Sequence, residues 1–508
     1  MAAGVESTAA NDAAAARFSL RLSSSTAIAV LAPIIAVALP VALYLRTLAP
    51  TVGANDSAEF ATVGATFGVP HPPGYPLLTL LLRAAWYLPL GNPAFRANLV
   101  SAVAAAVALA FTYAIIVQLT HQRLPAVLGA WLLGLSLPFW FYAIVAEVYT
   151  LDAALFAGTI LFLLRWRDTR STSDLVAAFL CFGLSMANRN VNALNAPAIV
   201  VFLLPDLRRE PRRVLAASLA VLPCLALYAI LPLRSAMDAG YIWGSHYRVD
   251  ATPLPPHLTR LDDFWWLVSA AIYRPLLHLY SWTQRLAEAK RLLRDLWGAL
   301  MPPGIVLAVV GAGALAVKRT SAFALVALMV VPQTLFFINY AALDKRQMFI
   351  NTYVGVAVFA GYGLAYVIEV LARDLHVPYR ATATATACVV AVIAGLLIQS
   401  TYHDVDRSAD TGAHERSVAF LDITTPNAII IGGWGNVAPL VYVQTVEHRR
   451  PDVALVQNWR LTLEEERAMV AYNIALGRGV YTFYPDPLFD DYLQIPVGNW
   501  IKIEPVPH

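Results

Sequence analysis

The sequence predicts a polytopic all-α membrane protein of about 11 transmembrane helices carrying a small C-terminal α/β soluble domain. Three observations predict it. Of 508 residues, 58% are hydrophobic and only 14% charged, which is more apolar surface than one soluble core can hide, so the excess must face lipid. Apolar runs approaching the ~20 residues that cross a bilayer recur near 26–45, 98–119, 124–143, 149–164, 173–188, 191–204, 214–233, 302–317, 321–340, 351–371 and 381–400. After Tyr402 the composition changes to short buried-strand and helix patterns. The net charge of +3 is too small and too scattered for a nucleic-acid footprint, so no nucleic-acid partner is expected.

Taken in order, the Ala-rich residues 1–25 read as a disordered cytoplasmic N-terminus. The first run is longer than a typical signal-peptide core and is followed by no clear cleavage site, so it reads as a retained anchor. With a cytoplasmic N-terminus the basic residues fall on inner loops: Arg17 and Arg21; Arg123; Arg165, Arg167 and Arg170; Arg208, Arg209, Arg212 and Arg213; Lys318 and Arg319; Arg373 and Arg380. That distribution obeys the positive-inside rule and puts the helical module at 26–401, with outer segments 46–97 and 234–301 and an extracytoplasmic domain at 402–508. Leu77–Leu90 is apolar but too short to span. Phe264, Trp265, Trp266, Tyr273, Tyr280 and Trp282 read as an aromatic belt at headgroup depth. In the tail, Ala428–Ile431, Asp452–Gln457 and Gly479–Tyr484 read as strands and Leu461–Leu476 as a helix. Cys181, Cys224 and Cys388 fall inside apolar runs and define no disulfide framework. The chain shows no internal repeat.

The chemistry-bearing residues concentrate just beyond the first run, in Asp-Ser-Ala-Glu-Phe (56–60) and Gly-Val-Pro-His-Pro-Pro-Gly-Tyr-Pro (68–76). Anchoring a chain in lipid does not need Asp56, Glu59 or His71. Two readings of the carboxylates stand: a capping box with Asp56 as N-cap and Glu59 at N3, or a base that takes a proton from an attacking hydroxyl. His71 sits in a Pro-stiffened turn, which suits either a ligand-facing group or a turn histidine bonded to a carbonyl. Asp56, Glu59 and His71 lack further His or Cys at ligand spacing, so no metal or other cofactor is expected, although the three are able to converge on a divalent cation. Cations beyond the inner loops stand out as phosphate candidates: Arg234, Arg346, Lys345 and Arg189, each of which also fits a snorkelling interface residue. Glu147 and Asp152 flank the outer start of the fourth run, as functional acids or helix N-terminal charges. Gly-Gly-Trp-Gly (432–435) lacks nucleotide-loop spacing and reads as a tight turn.

Those two motifs, with Leu-Pro-Leu-Arg-Ser (231–235), Trp-Gly (243–244) and Arg-Pro-Asp-Val (450–453), follow the order seen in the domain-of-unknown-function 2723 family. That family includes the transmembrane-260-type protein O-mannosyltransferases, and the chain resembles it over most of its length. The sequence departs from the family pattern at Ala58, Arg189, Leu267 and Ser245-His246. The resemblance implies the GT-C glycosyltransferase fold and an inverting transfer of a hexose, mannose by kinship, from a polyprenyl-phosphate sugar to a hydroxyl of an exported protein. It implies Asp56 as the catalytic acid of the first outer loop, with Glu59 beside it, and a substrate site drawing on His71, Tyr75, Asn188, Trp243 and Glu147. The expected partners are the bilayer, the polyprenyl-phosphate sugar and an acceptor protein or glycan. The expected location is a bacterial inner (plasma) membrane with the active site and tail extracytoplasmic. The alternatives are transfer to a lipid or cell-wall glycan, and a lipid or sugar transporter, which would show repeats and broken spans.

Overall fold

The computed structural model describes residues 31–506, apart from 238, 278, 343, 344, 375 and 377. The expected N-terminal segment 1–25 and the opening of the first run lie outside the described residues. A backbone in lipid must satisfy its own hydrogen bonds, so the apolar runs fold as helices. The chain opens with α1 (Leu31–Thr47), the loop helices α2 (Asp56–Thr66) and α3 (Pro76–Trp86), and α4 (Pro93–Thr120). Then follow α5 (Arg123–Gly134), α6 (Leu137–Ala143), α7 (Tyr149–Thr169) and α8 (Thr172–Asn188). Further apolar helices occupy Asn190–Arg209, Pro211–Ala236, Trp282–Lys318, Thr320–Ile338, Arg346–Asp374 and Ala381–Val405. Among the described residues 8 helices are long and apolar enough to cross a membrane, or up to 9 if the α5–α6 pair is one span. This is an integral membrane protein.

Two expectations change. The run at 124–143 is not one helix: α5 and α6 meet at 71°, because Pro138 sits in the first turn of α6 and cannot donate a hydrogen bond back into α5. A broken span is one of the two features named for the transporter alternative. The second outer segment also ends in an unforeseen helix: residues 282–301, rich in charge, form a helix that runs through a kink at Met301, ahead of Pro302 and Pro303, into the next span. Ser281 and Gln284 form a capping box at its start, so Trp282 opens a helix. Inside the module this helix crosses the one beginning at Ile350 so closely that a side chain on Gly363 would meet the Leu307 carbonyl.

In the second outer segment a small antiparallel pair, β1 (His246–Tyr247) and β2 (Pro253–Leu254), closes a loop. The tail holds a 5-stranded sheet in the order β4-β3-β5-β7-β6, built from β3 (Ile429–Gly432), β4 (Ala454–Gln457), β5 (Val480–Thr482), β6 (Leu493–Val497) and β7 (Trp500–Glu504). β3 pairs in parallel with β4 and β5, and the β6–β7 hairpin adds antiparallel at β5. The hairpin and the helices Gly412–Ile423 and Trp434–Val446 are not apparent in the sequence patterning, where Pro496 and Pro439 interrupt the strand and helix signals. The helix Trp434–Val446 packs against α2. A side chain on Gly435 would collide with Asn55 Oδ1, so the tail seats directly over the start of α2.

Candidate active site

α2 does not begin with the capping box. Its N-cap is Asn55, at φ 59° and with no side-chain cap, while Asp56 is the first helical residue. A non-glycine held at positive φ beside a candidate base is a strained position that the surroundings must fix. Freed from capping, the Asp56 carboxylate accepts from Trp434 Nε1 at 3.0 Å and keeps Oδ2 3.8 Å from His71 Nε2. The side chain is 28% exposed, the open member of an otherwise buried cluster.

Glu59 lies one helical turn on and points into the protein. Its Oε1 accepts from the His71 backbone N–H at 2.8 Å and from Tyr241 at 3.3 Å, and its Oε2 lies 2.5 Å from His71 Nδ1. The turn that presents His71 closes with Gly74 N–H donating to the His71 carbonyl at 2.8 Å. Gly74 sits at φ +94° with Leu231 Cδ1 only 2.7 Å from where a β-carbon would stand, so only glycine fits. His71 Nε2 meets the Tyr75 hydroxyl at 3.0 Å, and that hydroxyl donates to the Pro72 carbonyl at 3.3 Å. Burial disfavours a charged imidazole, but the Glu59 and Asp56 carboxylates outweigh it and raise His71 to about 9. Burial pushes Glu59 up while His71 opposes it, and burial holds the Tyr75 and Tyr241 phenols well above their usual value.

A folded-state pKa raised above 6.5 gives His71 a stabilising contribution that is complete below that pH and lost as pH climbs toward about 9. The thermal midpoint of the purified protein is expected to fall over that interval. Glu59→Gln should flatten the fall, because the main carboxylate partner is gone; a Glu59→Gln profile parallel to that of the unmodified protein would sink this assignment.

Around the cluster stand four tryptophans. Trp243 is buried, stacks on Trp459 at 4.2 Å and on Trp266 at 6.2 Å, and meets Trp434 edge-on at 6.0 Å. Trp266 is thus no headgroup anchor, and its other contact is the Arg460 guanidinium at 4.4 Å. Tyr273 is likewise turned inward, close enough to feel the Asp56 and Glu59 charges. Trp265 and Trp282 remain exposed, as a belt requires. Sequence reading missed Trp434, Trp459 and Tyr241, and only the Gly-Gly-Trp-Gly stretch offered any signal.

The phosphate candidates separate by partner. Arg189 is buried against Asp152 at 2.8 Å, with its guanidinium over the Tyr149 and Phe337 rings, and its charge reaches Tyr75. Asp152 also accepts from Asn192 and Asn351, and Gln333 links Asn351 with Asn192 and Asn195, a buried polar network legible only as isolated amides within apolar runs. Asn188 donates to the Val148 carbonyl, while its buried Oδ1 has no partner among the described residues. The Glu147 backbone is tied to Ser101. Arg234 donates to the Phe67 carbonyl at 2.7 Å and lies over the Phe67 ring, so it closes the C-terminus of α2. Lys345 and Arg346 pair with Glu288 and Asp295 of the helix Trp282–Lys318.

Residues 56–211 match the family model described as the Protein O-mannosyl-transferase TMEM260 N-terminal domain. The mouse protein O-mannosyl-transferase TMEM260 is 28% identical over 459 residues, covering 83% of this chain and 62% of the mouse protein. A Dictyostelium discoideum protein of the same description is 29% identical over 127 residues, 24% of this chain and 15% of its own. The chain therefore spans less than two thirds of these relatives. Among solved structures, ArnT from Cupriavidus metallidurans in the apo state is similar at a TM-score of 0.54 and 15% identity, over 94% of this chain and 98% of that one. Its complex with undecaprenyl phosphate gives 0.54 and 14%, over 92% and 97%. The Archaeoglobus fulgidus oligosaccharyltransferase tethered with an acceptor peptide gives 0.50 and 12%, over 88% and 68%. At such identities the likeness establishes the fold: the chain has the GT-C architecture.

Proposed function

We propose, for this GT-C chain related through residues 56–211 to the TMEM260 protein O-mannosyl-transferases, that it transfers a hexose, mannose by kinship, from a polyprenyl phosphate to a hydroxyl of an exported protein. The observation that carries the reading is Asp56: a carboxylate with no capping role, oriented by Trp434 and open on one side above a prepaired Glu59–His71 couple. The acceptor oxygen attacks the anomeric carbon while its proton passes to Asp56. The bond from that carbon to the phosphate oxygen breaks with its electron pair, releasing polyprenyl phosphate, and the single displacement inverts the centre. Glu59 holds His71, and the imidazolium balances the negative charge that gathers as the phosphate departs. The donor phosphate is assigned to the Arg189 side of the cluster, with the lipid chain against the helical module and the site on the extracytoplasmic face of a bacterial inner membrane.

The reaction as proposed needs no metal. Candidate ligand atoms of Asp56, Glu59 and His71 lie within 4.8 Å of one another, a spacing that would also admit a divalent cation. Transfer of radiolabelled mannose from polyprenyl-phosphate mannose to protein, by the purified enzyme in detergent, is the direct test. Activity should be unchanged by EDTA; abolition by EDTA and recovery with a divalent cation would replace this mechanism with a metal-assisted one.

A further inference from the structure

A cavity of about 640 Å³ lies between the second outer segment and the tail. One wall is the stretch from Tyr241 to Trp243, which pairs through its backbone with Val69 and through Tyr241 with Glu59, so the cavity and the reactive cluster share that wall. The opposite wall is β4, an edge strand of the tail sheet. Ala454 N–H donates to the Ala428 carbonyl, toward β3. Alternation along a strand then turns residues 453, 455 and 457 the other way. Two of those outward positions are closed by side chains: the Val453 carbonyl accepts from Gln444, and Gln457 N–H donates to the Tyr247 hydroxyl. By the same alternation the N–H and carbonyl of Leu455, between them, face outward, and Leu455 lines the cavity.

The charged groups of the lining already have partners within the protein. Asp452 is paired with Arg450, Asp250 accepts from the Thr252 backbone, and Arg478 is spent on the Asp250 and Asn427 carbonyls and on Asn473. Much of the remaining lining is glycine, aromatic, Thr and Gln. A strand residue left open at a sheet edge inside a cleft is a site for main-chain pairing with another extended chain.

Resting on the glycosyltransferase reading above, we propose that the acceptor polypeptide binds here as an extended strand, hydrogen-bonded to Leu455 and running along the Tyr241–Trp243 wall toward Asp56. Recognition is through backbone, so the acceptor is chosen by being extended more than by a side-chain motif.

The test uses the purified full chain, polyprenyl-phosphate mannose, and a pool of nine-residue peptides each holding one threonine among randomised residues. Leu455→Pro removes the outward N–H without touching the bonds to β3. It should raise the peptide KM at least tenfold while leaving the donor KM, donor hydrolysis and thermal midpoint unchanged. Should Leu455→Pro misfold, N-methylation of the best peptide at successive backbone positions supplies the same information: methylation at a single position, the N–H that faces the Leu455 carbonyl, should block transfer. An unchanged KM in Leu455→Pro, or a peptide with no N-methyl-sensitive position, overturns strand addition. Donor hydrolysis with no peptide transfer overturns the polypeptide acceptor while leaving the glycosyltransferase intact. Absence of both reactions would instead remove the functional reading on which the proposal rests.

Discussion

Asp56→Asn is expected to lower the turnover for hexose transfer by about 10²-fold or more, with donor KM and thermal midpoint unchanged. The substitution keeps the start of α2 and the Trp434 contact, and of the two carboxylates facing His71 it leaves Glu59, the nearer. Asp56 does not cap α2, whose N-cap is Asn55, and the asparagine oxygen still accepts from Trp434 Nε1, which is 3.0 Å from Asp56 Oδ1. What is lost is the ability to receive a proton. Transfer from polyprenyl-phosphate mannose and a melting curve on the same preparation separate the two roles. A well-folded Asp56→Asn protein of full activity would move the base to Glu59, His71 or Glu147.

The second large effect is expected at Arg189 and needs a paired design. Its buried bridge to Asp152 spans 2.8 Å, with Asp152 held also by Asn192 and Asn351. Arg189→Gln alone leaves a buried carboxylate without its counter-charge, a change worth about 3–5 kcal/mol in comparable pairs, so lost activity there says nothing about donor binding. Arg189→Gln combined with Asp152→Asn removes both charges. That double variant should regain the thermal midpoint yet bind donor more weakly, by roughly 10- to 100-fold if a charge-assisted phosphate contact of about 1.5–3 kcal/mol is gone. Donor KM is the measurement. A normal donor KM in the stable double variant, with a raised one in Arg234→Gln, would place the phosphate at the end of α2 instead.

Much of this molecule is written locally. Excess apolar composition forces a membrane environment, and each long apolar run must close its own backbone hydrogen bonds, so spans appear in sequence as length and hydropathy. Asp56, Glu59 and His71 stand out for a related reason: ionisable residues and a proline-stiffened turn beside such runs have no anchoring use. Local sequence cannot decide between the cap and the base at Asp56, because a capping box and a catalytic acid use the same residue types at the same spacing. Tertiary structure separates them by giving Glu59 to His71, 12 positions away, and Asp56 to Trp434, 378 positions away. The same limit applies to Arg189, Arg234, Lys345 and Arg346, four similar cations in sequence. They diverge only once Asp152, the Phe67 carbonyl, Glu288 and Asp295 become their partners. Hydropathy and turn chemistry depend on near neighbours and are fixed by the sequence itself. Which charge meets which, and which strand edge faces a cavity, depends on contacts between segments distant in sequence, and only the folded chain brings those together.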